Sequence, residues 1–279
     1  MKKCKIETVG KINAIMSHEF DFDLTIWGAS TAYVNINPHI IMDSLNITSF
    51  NMGIDGTNID QYAGLLYEFL DYTSKSKYLI IALDIHGGLV NRTQFHDLHN
   101  WLHHIGNKHI DNCFLDIQER TVKKIKYIPF YSLTCYDKHA LPYFRKTLVN
   151  SNREFQITNY GYKPNGNKSI KPNKNIPPFK TEIGIRSFEK LKTAITIANS
   201  KDIKCFVIIT PCFKEGLEKI ENRFEFVQKL NELKTEKTEI LDLSDCYISK
   251  EPNFFRDNTH LNTKGADELT RLILSYIKN

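Results

Sequence analysis

At 279 residues the chain holds one large domain or two small ones, with ample material for a buried core. A net charge of +5, with lysines scattered rather than gathered in a basic stripe, argues against a nucleic-acid surface. No apolar run approaches the roughly 18 residues of a membrane-spanning helix, and residues 1–20 carry lysines but no apolar h-region, so a cytoplasmic protein is expected, or a cell-surface one where a leader has been removed.

In chain order, residues 1–22 are polar and read as an irregular N-terminal arm, and residues 23–279 as a single α/β domain. Leu24, Thr25, Ile26 and Trp27 are β-formers in a short apolar run, which predicts a buried strand. Gly28 and Ala29 then give a tight exit with little side-chain bulk. Ser30 is left at the carboxyl end of that strand, where open α/β sheets bind ligands. By itself such a serine also reads as a helix cap.

Asn37 and Pro38 form a helix start, cap followed by a proline at the first helical position, for a helix to about 45. Residues 47–52 predict a second strand, closed by a turn carrying Gly53 and Gly56. Thr57, with Asp60 three residues on, predicts a capping box for a helix whose Ile59, Tyr62, Ala63, Leu66 and Leu70 share one face. Residues 78–83 are the clearest buried strand and lead into Asp84-Ile85-His86-Gly87-Gly88. This alternation predicts a parallel sheet with helices on both faces.

Residues 89–180 read as an insertion. Within it, 94–106 is expected to be helical, while 160–179, rich in Pro, Asn and Lys, is a long loop, either a lid over substrate or a plain connection. Ser187 is expected to cap a helix to about 199, followed by a strand at 204–210 and a helix at 217–235. A last strand at 239–243 and a final helix at 264–277, capped by Asn262 or Thr263, complete the pattern.

Six cysteines with no C-x-x-C pair read as reduced, mostly buried thiols. His96, His99 and His103 would share one face of the expected helix, a spacing compatible with a metal. No acidic residue or cysteine stands at a matching position to complete a coordination sphere, so a face packed beside Trp101 is the simpler reading and no metal is expected. The basic cluster at 120–126 reads as a solvated face.

Asp257 and His260 stand three apart just ahead of the last helix. That spacing lets the carboxylate accept the imidazole Nδ1–H, leaving Nε2 to take a proton from a hydroxyl. A serine needs such a base to act as a nucleophile, and its oxyanion needs donors such as the backbone N–H groups of Ser30 and Gly53 at the same sheet edge. Alone, the Asp-His pair reads equally as a cap at a helix entrance.

Together these stretches resemble the SGNH (GDSL-type) serine hydrolases. Gly28-Ala29-Ser30 corresponds to the family's Gly-Asp-Ser turn, with Ala29 in place of the aspartate, and Gly53 to the glycine of its second block. Asp257-Asn258-Thr259-His260, continued as Leu-Asn-x-x-Gly, corresponds to its Asp-x-x-His block. In the third block, normally Gly-x-Asn-Asp, His86 stands where the oxyanion-binding asparagine is expected. The resemblance implies a three-layer α/β/α, flavodoxin-like fold with a mostly parallel five-stranded sheet. It implies Ser30 as nucleophile, His260 as base, Asp257 as its partner, and Ser30, Gly53 and His86 as the oxyanion hole. The layout, with Ser-Thr-Ala and Asn-Pro after the nucleophile, a Gly-Tyr-x-Pro stretch and Thr210-Pro211, is similar to a subgroup associated with acyl modification of bacterial surface polysaccharides. That likeness implies an esterase or O-acyl (acetyl) transferase acting on an acylated carbohydrate or small molecule without a cofactor. A non-catalytic binding protein and a lipid or thioester hydrolase are the alternatives, and the sequence does not specify an oligomeric state.

Overall fold

Apolar runs that leave no polar face have to be covered on both sides, which favours a parallel sheet between two helical layers. The structure, a computed structural model, describes residues 3–150, 157–169 and 177–278. Strands β1 (Leu24–Gly28), β2 (Ser49–Asn51), β3 (Tyr78–Leu83), β4 (Lys204–Ile209) and β5 (Thr238–Asp242) form one all-parallel sheet in the order β2-β1-β3-β4-β5. This is the flavodoxin-like order. The chain leaves β1 toward one edge and returns to its other side as β3, so the topological switch point lies where β1 and β3 end, at the Gly28–Ala82 pair.

The first half contributes helices α1 (Glu7–Met16), α2 (Ser30–Asn35), α3 (Pro38–Leu45), α4 (Ile59–Tyr72) and α5 (Lys108–Tyr127). The second contributes α6 (Leu141–Asn150), α7 (Ile185–Ser200), α8 (Lys214–Leu217), α9 (Arg223–Asn231) and α10 (Thr263–Ile277). Alternation along the strands assigns the layers. Trp27, Leu79, Ile81, Leu83 and Val207 face α1, α4, α5, α7 and α9, while Leu24, Ile26, Ile80, Ala82, Phe206 and Ile208 face α2, α3 and α10. The buried Trp27 indole donates to Thr25 Oγ1 at 3.0 Å, so the polar atoms on that face of β1 satisfy each other. Among the described residues no helix is long and apolar enough to cross a membrane.

Several caps stand where the sequence puts them. Asn37 Oδ1 accepts the His39 N–H at the start of α3, and Asn262 Oδ1 accepts the Gly265 N–H at the start of α10. Other expectations are corrected. Thr57 does not cap α4: its hydroxyl donates to the Ile54 carbonyl, and Asp60 is buried against Arg186 and Lys190. Helix α7 begins at Ile185, ahead of Ser187, whose hydroxyl donates to the Val90 carbonyl at 2.9 Å. The helix expected at 217–235 is shorter, α9 at Arg223–Asn231, with α8 already ended at Leu217. The helix expected at 94–106 is instead two short 3-10 turns, Leu98–Asn100 and Leu102–His104, because Asp97 takes a left-handed backbone (φ 45°) and the fully buried Trp101 anchors the segment. In the 160–179 stretch, residues 170–176 lie outside the described residues; Gly161 ends a 3-10 turn with φ 81°, where a Cβ would meet the Asn51 carbonyl.

The largest correction concerns the N-terminal arm, which is not irregular. Val9, Ile12 and Ile15 recur at helical spacing, and α1 sinks Ile12 and Ile15 into the core beside α4. On it, Lys11 is 1% exposed and its Nζ donates to the Gly53 carbonyl at 2.7 Å and the Gly161 carbonyl at 3.1 Å. The ammonium also lies over the Tyr33 ring, 4.5 Å from its centroid. Burial drives the pKa of Lys11 down to about 7, against a smaller upward pull from Glu7.

An unfolded chain keeps this lysine protonated to about pH 10.4, so above pH 7 it binds the more protons and folding stability should rise with pH. The window to use is pH 7 to about 8.5, below the range in which buried thiols act in the opposite direction; the raised His260 also opposes the effect there, so the difference between the native chain and the variant isolates Lys11. Denaturant titrations across that window should give a positive slope in the native chain and a flatter one in Lys11→Met.

Candidate active site

The exit of β1 determines where Ser30 sits. Gly28 has φ 151°, and a Cβ there would meet the Ala82 carbonyl at 2.4 Å and Ala32 Cβ at 2.7 Å. Only glycine lets the chain turn this close to β3, and α2 starts immediately afterwards. Ser30 is its first residue, so the Ser30 N–H has no acceptor inside the helix and points out of the helix's positive end.

The other half of the site comes from the far end of the sequence. Phe255 and Leu261 form an antiparallel bridge, and the Arg256 N–H donates to the His260 carbonyl at 2.8 Å, closing a tight loop. Within it Asp257 Oδ1 accepts the backbone N–H groups of Thr259 at 3.0 Å and His260 at 2.8 Å. His260 Nδ1 lies 2.9 and 3.0 Å from the two Asp257 oxygens, and its Nε2 lies 2.8 Å from Ser30 Oγ. With the Nδ1 proton held by the carboxylate, the serine hydroxyl donates to Nε2. Ser30, His260 and Asp257 therefore form a continuous hydrogen-bonded relay.

Electrostatics favour the same arrangement. Burial works to raise the Asp257 carboxyl, but hydrogen bonds from the His260 ring and from the Thr259 and His260 N–H groups outweigh it and hold the pKa at about 2. The hydrogen bond to Asp257 raises His260 above its ordinary 6.5 against the opposing effect of burial, helped by the charges of Asp257, Asp55 and Asp84.

Two residues that the sequence reading missed hold this geometry. Asn35, fully buried on α2, donates through Nδ2 to the Thr259 carbonyl at 3.0 Å and accepts the Leu261 N–H at 2.8 Å. It fastens the Asp257–His260 loop to the helix that carries Ser30. Asn51 donates to the carbonyls of Ala32 and Ile36, both at 2.8 Å, and so ties the end of β2 to the same helix. Asparagine inside the apolar stretches Val34-Asn35-Ile36 and Phe50-Asn51-Met52 was the available signal.

The two further residues expected in the oxyanion hole are differently engaged. The Gly53 N–H donates to Asn51 Oδ1 at 2.9 Å, an internal acceptor that a substrate oxyanion would have to displace or share. The His86 ring stacks on Phe179 with 5.1 Å between centroids, and its Nε2 lies 3.4 Å from Cys212 Sγ. Burial lowers the His86 pKa against the pull of Asp84, so the ring is neutral. Neither residue is hydrogen-bonded to Ser30.

A cleft of about 380 Å³ opens beside α2, lined by Tyr33, Asp55, His96, Asp97, Tyr143 and Lys163 among others. Tyr33 is one helical turn beyond Ser30, so this cleft lies near the relay, but no residue of the relay lines it. A larger cavity of about 460 Å³ near Cys4, Met16 and His104 contains no residue of the relay. The basic cluster at 120–126 lies on α5, where Lys123 pairs with Glu119 and Lys126 with Asp111. In comparisons with known proteins, no family model and no curated protein matches the chain.

Removing the Asn35 amide leaves the Leu261 N–H and the Thr259 carbonyl unpaired in a largely closed environment. Asn35→Ala should lower the unfolding free energy by about 2–4 kcal/mol, measured by urea denaturation.

Proposed function

We propose that the protein is a serine esterase or O-acyl transferase of the SGNH type, acting on O-acyl groups, with acetyl the expected one, carried by a carbohydrate. The observation that carries this reading is the relay from Ser30 Oγ to His260 Nε2, 2.8 Å across 230 positions of sequence, and on from His260 Nδ1 to Asp257 at 2.9 Å. A helix cap or a loop-closing pair has no need of the third member, whereas a nucleophile, a base and an orienting carboxylate need all three. The resemblance of the Gly28-Ala29-Ser30 turn, Gly53 and the Asp257–His260 block to SGNH hydrolases supports the same reading.

In the proposed mechanism Ser30 Oγ attacks the ester carbonyl as His260 Nε2 takes its proton. The imidazolium, held by Asp257, then gives that proton to the leaving alcohol, and an acyl-enzyme remains. Water or a sugar hydroxyl, deprotonated by His260, resolves it. The Ser30 N–H at the start of α2 is oriented to receive the oxyanion. A cleft combining the Tyr33 and Tyr143 rings with the Asp55 and Asp97 carboxylates suits a hydroxyl-rich acceptor better than an acyl chain, which disfavours a lipid hydrolase. The engagement of Gly53 with Asn51 and of His86 with Cys212 favours the second reading, a binding protein that keeps the fold without turnover.

A fluorophosphonate probe, followed by peptide mapping, separates the two. Labelling should fall on Ser30 and vanish in Ser30→Ala and His260→Ala; intact, folded protein that takes no label would leave only the binding reading. The labelling rate should fall as pH drops through the raised pKa of His260, so its acid limb lies above pH 6.5. In Asp257→Asn that limb should move to lower pH, and the rate should drop by about 10⁴-fold.

A further inference from the structure

The segment that sequence spacing assigned to one histidine-bearing helix face brings together a different set of donors. His103 turns away, with Nε2 3.1 Å from the Tyr136 hydroxyl, and the His96 ring packs on Gly56. His99 instead points inward to Asp97 and Asp137. One ligand atom from each of Asp97, His99 and Asp137 lies within 4.8 Å of the other two, and His99 Nδ1 is 3.5 Å from Asp137 Oδ1.

The independent observation is the state of the imidazole. His99 is 1% exposed, and neither ring nitrogen has a hydrogen-bond partner. Buried polar atoms are nearly always paired, and an imidazole left with both nitrogens unmet is costly. Asp137 lies too far for a good hydrogen bond, and its Oδ1 is already used by the His139 N–H at 2.8 Å. The two carboxylates are accessible, with Asp97 and Asp137 side chains 39% and 52% exposed, so an ion can reach a pocket closed at its base by the ring.

We propose that Asp97, His99 and Asp137 form a binding site for a divalent first-row metal ion of the zinc class. Tetrahedral donors at 2.0–2.2 Å from one ion lie about 3.3–3.6 Å apart; the three atoms here lie within 4.8 Å of one another, and rotation of the two accessible carboxylates by about an ångström closes the set. The donor set, one imidazole nitrogen and two carboxylate oxygens, suits zinc, manganese or iron better than calcium or magnesium, which favour oxygen alone. Asp97 lines the cleft beside α2, so the ion would form part of that wall and would tie the Asp137 segment to it. The site shares no residue with the Ser30 relay, and the proposal does not depend on the hydrolase reading.

The full chain, stripped with a chelator and dialysed, is titrated with Zn²⁺ by calorimetry and with Co²⁺ by visible absorption. One equivalent should bind, and the Co²⁺ complex should show d–d bands without a thiolate charge-transfer band, separating this site from the free cysteines. Asp137→Asn and Asp97→Asn alter accessible carboxylates and leave the buried ring in its setting, so circular dichroism should report native folds. Each should weaken binding at least tenfold, and the rise in melting temperature that Zn²⁺ gives the unaltered chain should shrink with it. Absence of a stoichiometric site, a thiolate band in the Co²⁺ spectrum, or unchanged affinity in both variants would overturn the proposal.

Discussion

One buried amide holds the two ends of the sequence together. Asn35 uses both its donor and its acceptor on the loop that carries Asp257 and His260, and it does so from the helix whose first residue is Ser30. With the Phe213 N–H holding the Asn258 carbonyl at 2.8 Å from the other side, that bond pair fixes His260 Nε2 at 2.8 Å from Ser30 Oγ. The sheet brings the two loops to the same edge, but only to within several ångströms; a hydrogen bond is decided over tenths. Directional bonds at a few buried positions therefore refine what the non-directional burial of strands and helices sets up.

The same division explains what could be read in advance. The runs at 78–83 and 205–209 are apolar without interruption, so their burial, their parallel pairing and the layers around them follow from composition over a short window. Ser30, Asp257 and His260 were legible because each belongs to a short block with an interpretable spacing. The residues that misled are those whose partners are distant in sequence. Asp60 looks like a capping residue three positions after Thr57, yet its carboxylate meets Arg186 and Lys190, 126 and 130 positions away. Lys11 makes α1 look polar, and only the carbonyls of Gly53 and Gly161 explain why a lysine is buried there. His99 matched a helical pattern with His96 and His103, but the left-handed backbone at Asp97 breaks the helix on which that pattern relied.

The oxyanion side of the site is less complete than the nucleophile side. The Ser30 N–H is available by its place at the start of α2, while the Gly53 N–H is held by Asn51 and His86 faces Cys212. One donor is typically worth a factor of about 100 to 1,000 in turnover. On the proposed esterase or transferase reading, a hole with one of its donors committed elsewhere would slow formation of an acyl-enzyme. Asn51 is the hinge of that balance, since the oxygen that accepts from Gly53 belongs to the same amide that anchors β2 to α2.

The 230-position gap between Ser30 and His260 also has a temporal side. At 5–20 residues per second, a ribosome needs roughly 10–45 s to make the chain between them. During that interval Ser30 has no imidazole partner, because His260 has not yet been made. Contacts of such long range form late in folding as well as in synthesis. A nascent or half-folded chain therefore cannot assemble the Ser30–His260–Asp257 relay, and whatever chemistry the relay supports waits until residues 257–260 have been made and docked.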